Sequence, residues 1–332
     1  LVLADGRSCL LMDMPDVPDG PPVRDGKPYS AIAHIATSIR AVIAINAGLR
    51  CHGLNAPQTI ACDLDRGVAL IEDLGGETYH DLIASGRETS EPLHAAVSVL
   101  AGMADSDWPA SASLPDGSGC TIPEFDEGAF LIEAELLLDW LWPAVKGAPA
   151  GDDQRKAFCD AWRGLFPLVD AAPKVWLLRD FHSPNLLWLP EREDAMRVGV
   201  IDTQDALLGH PAYDLVSMLQ DARIDIPDDV ETELLDFYCA RRHASGKDAQ
   251  VPFDEAAFRT AYAVLGAQRA TKVLGIFVRL ARRDGKPGYL RHLDRVSRAL
   301  EKNLRHPQLT ALKAWYDEWM PQNLRTRLLA ES

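Results

Sequence analysis

Leu178-Arg179-Asp180-Phe181-His182-Ser183-Pro184-Asn185-Leu186-Leu187, then Val200-Ile201-Asp202-Thr203-Gln204-Asp205, then His210-Pro211-Ala212-Tyr213-Asp214, is the part of the chain whose reading decides the fold. Its acids and its amide stand at loop positions. The apolar runs beside them, Val175-Trp176-Leu177, Leu186-Leu187-Trp188-Leu189 and Val198-Gly199-Val200-Ile201, read as short strands. Strand ends that present carboxylates and an amide into loops suit a metal-bound phosphate, because hard cations take oxygen donors.

Phosphoryl transfer needs an acceptor hydroxyl held in line, a group to take its proton, and divalent metal to neutralise the phosphates. Asp180 and Asn185 have the D-x-x-x-x-N spacing of a kinase catalytic loop, and Asp202 ends an apolar strand one hairpin later. In that scheme Asp180 accepts the proton, while Asn185 and Asp202 ligate Mg²⁺. The D-x-x-x-x-N spacing alone is common by chance. Loop, hairpin and second aspartate together are specific.

Working outward, residues 1–4 and 8–12 are apolar runs around Asp5-Gly6, the signal of a hairpin. Residues 15–28, rich in proline and glycine, read as an exposed loop. Ile32, Ile35, Ile39, Val42, Ile43 and Leu49 recur at helical spacing, which predicts one amphipathic helix from Ser30 to about Gly48. Residues 57–60 and 68–72 read as strands, and Glu72-Asp73-Leu74-Gly75-Gly76 as a boundary between lobes. Beyond it the pattern is mainly helical, with a Gly-, Ser- and Pro-rich loop at 109–123 and helices at 77–84, 92–103, 124–141, 153–169, 212–222, 229–244, 253–283, 289–303 and 309–320. No internal repeat is seen.

The bulk properties exclude several classes. At 332 residues, 47% hydrophobic and 25% charged, the chain is long enough for two lobes around a cleft and is not disordered. A net charge of −15 repels nucleic acid and anionic membrane surfaces. The basic cluster Arg279, Arg282, Arg283 and Lys286 reads as a solvated helix face. Six cysteines without a C-x-x-C pair argue against structural zinc and disulfides, and so for the reduced thiols of a cytoplasmic protein. No apolar run approaches the ~20 residues that span a bilayer.

The motifs quoted, together with Leu70-Ile71-Glu72-Asp73-Leu74-Gly75 and Gln268-Arg269, resemble the aminoglycoside phosphotransferase and choline kinase family, whose fold is protein-kinase-like. Within it the chain is most similar to bacterial kinases that phosphorylate the anomeric hydroxyl of N-acetylmuramate and N-acetylglucosamine. The resemblance implies an α+β fold of two lobes. Residues 1–74 would form a small antiparallel-sheet, nucleotide-binding lobe ending in the hinge, and residues 75–332 a larger, mainly helical lobe with the catalytic loop and acceptor site. It implies ATP and Mg²⁺ as cofactors and a small-molecule hydroxyl acceptor. Nothing in the sequence speaks to oligomeric state.

Carried over by position, the resemblance makes Asp180 the base, Asn185 and Asp202 the metal ligands, and Glu72, Asp73 and Leu74 the hinge whose backbone bonds adenine. His182 shapes the loop or touches substrate. Gln204 and Asp205 face the acceptor, Asp205 equally suiting an ammonium group. Gln268 and Arg269 stand near the same pocket, where Arg269 would pair with a lactyl carboxylate, the alternative being a helix-surface arginine. Asp214 is structural, hydrogen-bonding the catalytic-loop backbone.

The chain also departs from the family. Leu178 replaces the usual histidine two residues before the base. Thr203 stands where Phe or Trp commonly follows the metal aspartate, which is expected to loosen that turn. No glycine-rich loop precedes the first strand and no lysine lies in residues 10–13, so the small lobe reads as truncated by about a hairpin and a helix. Two alternatives follow: an aminoglycoside or choline-type kinase, and a catalytically inactive kinase-like binding protein. Core packing of the tryptophans, rather than an aromatic cage, argues against choline. The absence of a DFG and activation-loop pattern after Asp202 argues against a protein kinase.

Overall fold

In the computed structural model, which describes residues 1–3, 6, 8–18, 20–245 and 252–331, the apolar runs before the hinge become strands. They are β1 (Cys9–Asp13), the short β2 (Pro22–Arg24) and β3 (Lys27–Pro28), β4 (Thr59–Asp63) and β5 (Val68–Glu72). β5 is the centre of an antiparallel sheet ordered β1-β5-β4, with Leu10 opposite Ile71 and Met12 opposite Ala69. Alternation along β5 buries Ala69 and Ile71 on one face. Of the expected hairpin turn at Asp5-Gly6, Gly6 has a φ of 85° and Val2 bridges Ser8, while Asp5, like Ala4, lies outside the described residues.

Two readings of the amino-terminal region change. The loop expected at 15–28 contains the β2–β3 hairpin. Its turn is Asp25-Gly26 with φ of 49° and 73°, the doubly positive pair that a two-residue hairpin requires. The helix expected from Ser30 is two helices, α1 (Tyr29–Ile32) and α2 (Ile39–Cys51). The chain breaks at His34, φ 52°, and restarts where Ser38 caps α2 by accepting the Arg40 N–H at 3.3 Å. α2 buries Ile39, Val42, Ile43, Ala44, Ile45, Asn46 and Leu49. Gly48 is required there, since a Cβ would lie 2.4 Å from the Trp176 ring.

Two compact units divide the chain: Leu1–Glu124 with Lys174–Met218 and Pro227–Phe253, and Phe125–Pro173 with Leu219–Ile226 and Asp254–Ser332. The first unit holds the sheet just described and, after the hinge, β6 (Glu77–Thr78), α3 (Tyr79–Ala84), α4 (Ser90–Met103) and a hairpin of β7 (Ser111–Ser113) and β8 (Gly119–Thr121) within the expected loop. It also holds β9 (Val175–Leu177), β10 (Leu186–Trp188), β11 (Val198–Val200) and β12 (Leu207–Gly209). β10 pairs with both β11 and β6, and β12 with β9, all antiparallel. A small apolar cluster of Leu74, Leu187, Leu189 and Ile201 joins the hinge to the β10–β11 hairpin. Gly76 is confined against it, φ 80°, with Leu189 Cδ2 2.7 Å from where a Cβ would stand.

The second unit is helical. Glu127–Leu136 runs through a π-turn at Leu137–Leu141 into Trp142–Lys146, and the 28-residue helix Glu255–Arg282 packs on it. Gly275 makes that contact possible, because a Cβ there would fall 2.3 Å from the Leu136 carbonyl carbon. Trp142, Trp162 and Trp315 are buried with Phe158 and Tyr316, and Phe158 and Trp315 stand 4.7 Å apart between ring centroids. The fold is therefore α+β, a small antiparallel sheet followed by a mainly helical remainder. All six cysteines are free, and among the described residues no helix is long and apolar enough to cross a membrane.

Candidate active site

β9 delivers the chain to Leu178, and there the backbone is seized by one carboxylate. Asp214, 2% exposed at the start of the helix Ala212–Leu219, accepts the Leu178 N–H at 2.6 Å on Oδ2 and the Arg179 N–H at 2.9 Å on Oδ1. Arg179 has a φ of 65°, a strained conformation for a side-chain-bearing residue, and its carbonyl accepts from Ser217 Oγ. The Asp180 N–H turns back to the Leu178 carbonyl at 2.7 Å, and the 3₁₀ turn Ser183–Asn185 completes the loop. Leu178 is buried, replacing a polar loop bond by packing.

Asp180, Asn185 and Asp202 are linked through the Asn185 side chain. The Asp180 side chain is 43% exposed, open to an incoming hydroxyl, and the buried His182 ring holds Nε2 3.6 Å from its Oδ1. The Asn185 amide nitrogen donates to the Asp180 carbonyl at 3.2 Å and to Asp202 Oδ2 at 3.3 Å. That orientation leaves the Asn185 carbonyl oxygen to a cation. Asp202 itself has a φ of 61°, and Gln204 donates to its Oδ1 at 2.9 Å. An amide oxygen and a carboxylate are the hard donor set that suits Mg²⁺ arriving with phosphates.

Thr203 does not loosen the Asp202 turn. Its side chain, 1% exposed, donates to Asn46 Oδ1 on α2 at 2.6 Å, so a buried hydrogen bond replaces the bulky aromatic. The expectation of a slack turn is corrected on that ground.

A cavity of about 480 Å³ runs from the hinge to these groups. Glu72, Asp73, Leu74 and Gly75 line one end, Asn185, Asp202 and Gln204 the other, and Leu10, Met12, Val42, Ile71, Leu187 and Ile201 supply apolar walls. The hinge acids are turned to structural bonds. Glu72 Oε2 accepts from Arg50 and from the Gln58 N–H, and Asp73 accepts from Ser8 Oγ at 2.8 Å and from the Gly75 N–H. The Ser8 bond, then the Gly75 N–H, hold the Asp73 carboxyl below the usual carboxylate range.

The remaining predicted residues belong to both units. Asp205 accepts the Ala36 N–H at 2.7 Å in the first unit. Gln268 and Arg269 belong to the second unit, where the Gln268 amide donates to the Phe130 carbonyl and to Glu133 Oε2, both at 3.1 Å. Arg269 is 6% exposed, so it is not a helix-surface arginine. Sequence reasoning missed Arg179, 2% exposed, whose guanidinium donates to the Ala33 carbonyl at 3.0 Å and to that of His34 at 3.4 Å. It also missed Asn46 and Asn55. Asn55 is fully buried, donates to the Met196 carbonyl and gives its own carbonyl to the Val200 N–H, which fixes the β10–β11 hairpin.

Comparison with known proteins shows the family. The profile of a family described as the phosphotransferase enzyme family matches residues 29–250. A Caulobacter vibrioides protein named N-acetylmuramate/N-acetylglucosamine kinase is 33% identical over 328 residues, which cover 96% of this chain and 88% of that protein. A Pseudomonas aeruginosa protein of the same name is 30% identical, over 92% of this chain and 80% of its own length. Among solved structures, a choline/ethanolamine kinase family protein from Mesorhizobium loti superposes with a TM-score of 0.54 at 13% identity, over 83% of this chain and 81% of that one. Aminoglycoside 2'-phosphotransferase-IIIa in its GDP complex gives a TM-score of 0.52 at 14% identity, over 83% and 84%. At these identities the structures speak to fold alone, and the fold is protein-kinase-like.

Proposed function

The chain belongs to the phosphotransferase enzyme family, and from that premise we propose that it transfers the γ-phosphoryl group of ATP to the anomeric hydroxyl of N-acetylmuramate or N-acetylglucosamine. The observation that carries the reading is the meeting of Asn185 and Asp202 at 3.3 Å, with the Asn185 amide also on the Asp180 backbone carbonyl at 3.2 Å, at the end of a cavity that begins at the hinge. The relatives named N-acetylmuramate/N-acetylglucosamine kinase support these two sugars as acceptors.

In this reading the apolar walls take the adenine and the backbone of residues 72–74 bonds its edge. Mg²⁺, held by Asn185 and Asp202, neutralises charge on the phosphates when bound. Asp180 accepts the proton of the sugar hydroxyl as its oxygen bonds to phosphorus and the bond to the departing ADP breaks. His182, buried against Asp180, keeps the carboxylate aimed. A cytoplasmic setting, where ATP and free thiols coexist, belongs to the same proposal.

The experiment is a turnover panel with Mg·ATP and N-acetylglucosamine, N-acetylmuramate, choline and kanamycin, paired with calorimetry of nucleotide binding. ATP consumption with the amino sugars supports the reading. Consumption with kanamycin or choline instead reassigns the acceptor. No turnover, with no Mg·ATP binding, leaves a catalytically inactive binding protein.

A further inference from the structure

Resting on that reading of the active site, we propose that a second cavity, of about 310 Å³, is the acceptor subsite and that it is built for a sugar ring without an ammonium group. It lies between the segment that leads into α2, residues 30–37, and residues 120–123 at the end of β8. Its volume is at the lower end of the ~300–1,000 Å³ typical of small-molecule sites.

Three observations tie it to the chemistry. Gln204 lines both this cavity and the one that holds Asn185 and Asp202, and the Gln204 amide donates to Asp202 Oδ1 at 2.9 Å. The cavity wall is fastened to the catalytic loop by the residues next to the catalytic ones: Arg179, just before the base, donates to the Ala33 and His34 carbonyls, and Asp205, three residues after the metal acid, accepts the Ala36 N–H. Strain gathers at the same place, since His34, Arg179 and Asp202 all have positive φ, at 52°, 65° and 61°. A wall held this way moves with the base and the metal acid.

The lining chooses the ligand. Ser30, His34, Thr37, Thr121 and the Gln204 amide bring polar groups to the lining, and Ile35 and Ile122 bring apolar surface. A pyranose has the same division, with hydroxyls at its edge and C–H groups on its face. Among the described residues that line the cavity there is no Asp, Glu, Lys or Arg, although the chain carries a net charge of −15. An ammonium seated in this cavity would shed water and meet no carboxylate among the lining residues, which is costly. The N-acetyl group removes that charge. The subsite thus favours N-acetylated over free amino sugars and excludes aminoglycosides.

Cys120 lines the cavity, half-buried, and reports on occupancy, while the exposed Cys51 serves as an internal control. Alkylation of the intact protein by iodoacetamide, followed by peptide mass spectrometry, is measured with no addition, with N-acetylglucosamine, with Mg·ATP, with glucosamine and with kanamycin. At about ten times its Kd, N-acetylglucosamine is expected to slow modification of Cys120 about tenfold and to leave Cys51 unchanged. Mg·ATP, glucosamine and kanamycin at the same concentrations are expected to protect much less. Cys120→Trp, which fills the cavity, is expected to raise the KM for N-acetylglucosamine at least about tenfold with the KM for ATP unchanged. Turnover of N-acetylglucosamine without protection of Cys120, or a Cys120→Trp enzyme with unaltered sugar KM, overturns the subsite and leaves the kinase reading standing. Equal protection by glucosamine or kanamycin overturns the charge argument. Loss of both turnover and protection for every sugar overturns subsite and kinase reading together.

Discussion

Asp180 and Asp202 each follow a short strand of the same unit, and both need an open carboxylate, yet the backbone beneath them is held by different means. Beneath Asp180, the strained residue is its neighbour Arg179, and a single buried anion, Asp214, takes two successive N–H groups. At Asp202 the strained residue is the acid itself, and several neutral bonds share the work: Gln204 to its carboxylate, Asn185 to its other oxygen, and Thr203 to Asn46. A loop hung on one charged group fails at once when that group goes. A turn held by distributed bonds loses function by degrees.

That difference orders the expected effects. Asp180→Ala lowers kcat by roughly 10²–10⁴, the usual worth of a positioned base, with the melting temperature within error of the parent because the side chain is 43% exposed; a large loss of stability would mean that the base also holds its loop. Asp214→Ala leaves two buried N–H groups without an acceptor and costs about 3 kcal/mol, read from urea unfolding. Asp214→Asn, which keeps one acceptor oxygen, recovers part of it. If Asp214→Ala proved neutral, the single-anchor view of the loop would break.

A third test uses protons. Burial pushes His210, whose Nδ1 accepts the Ala212 N–H, down to about 4 from its ordinary 6.5. The folded state therefore carries this histidine neutral while the unfolded state protonates it below about pH 6.5. Its contribution is fully present above that pH and is lost as pH falls toward 4, about 2 kcal/mol by pH 5 for one such group. Thermal melts from pH 7 to pH 5 should show the decline, and His210→Asn should flatten it. Because His210 opens the helix that carries Asp214, activity should fall with the melt rather than before it.

The smallest effect is expected at the Asp202 turn. Thr203→Val removes one buried hydrogen bond and costs about 1 kcal/mol, seen as a rise of roughly fivefold in the Mg²⁺ concentration for half-maximal rate, with Thr203→Ser restoring the parent value. A Thr203→Val enzyme as damaged as Asp214→Ala would erase the distinction between the two regions.

What could be read from the sequence follows the same division. The loop that carries Asp180 and Asn185 and the turn at Asp202 were legible as polar positions at short spacings beside apolar runs. The strands around them were legible from their apolar runs. The turns at Asp25-Gly26 and Asp116-Gly117 carried a recognisable hairpin pair, masked by the prolines and serines around them. Arg179, Asn46 and Asn55 were not legible, because their partners lie 146, 157 and 141 residues away and no local period announces such bonds. The break between α1 and α2 was hidden for the same reason. The isoleucine spacing runs on through residues 33–38, and the bonds that hold the break come from Arg179 and from Asp205, which is 169 residues from Ala36. Gln268 gave a polar residue on a helix, but its amide is bonded inside the helical unit to Phe130 and Glu133.

The most direct test of the whole account is phosphorus NMR of the product formed from Mg·ATP and N-acetylglucosamine by the parent enzyme and by Asp180→Ala. The account predicts a sugar phosphate whose phosphorus couples to the anomeric proton, formed by the parent and reduced to a trace in the variant. Phosphate on any other hydroxyl, or equal product from the two enzymes, contradicts it.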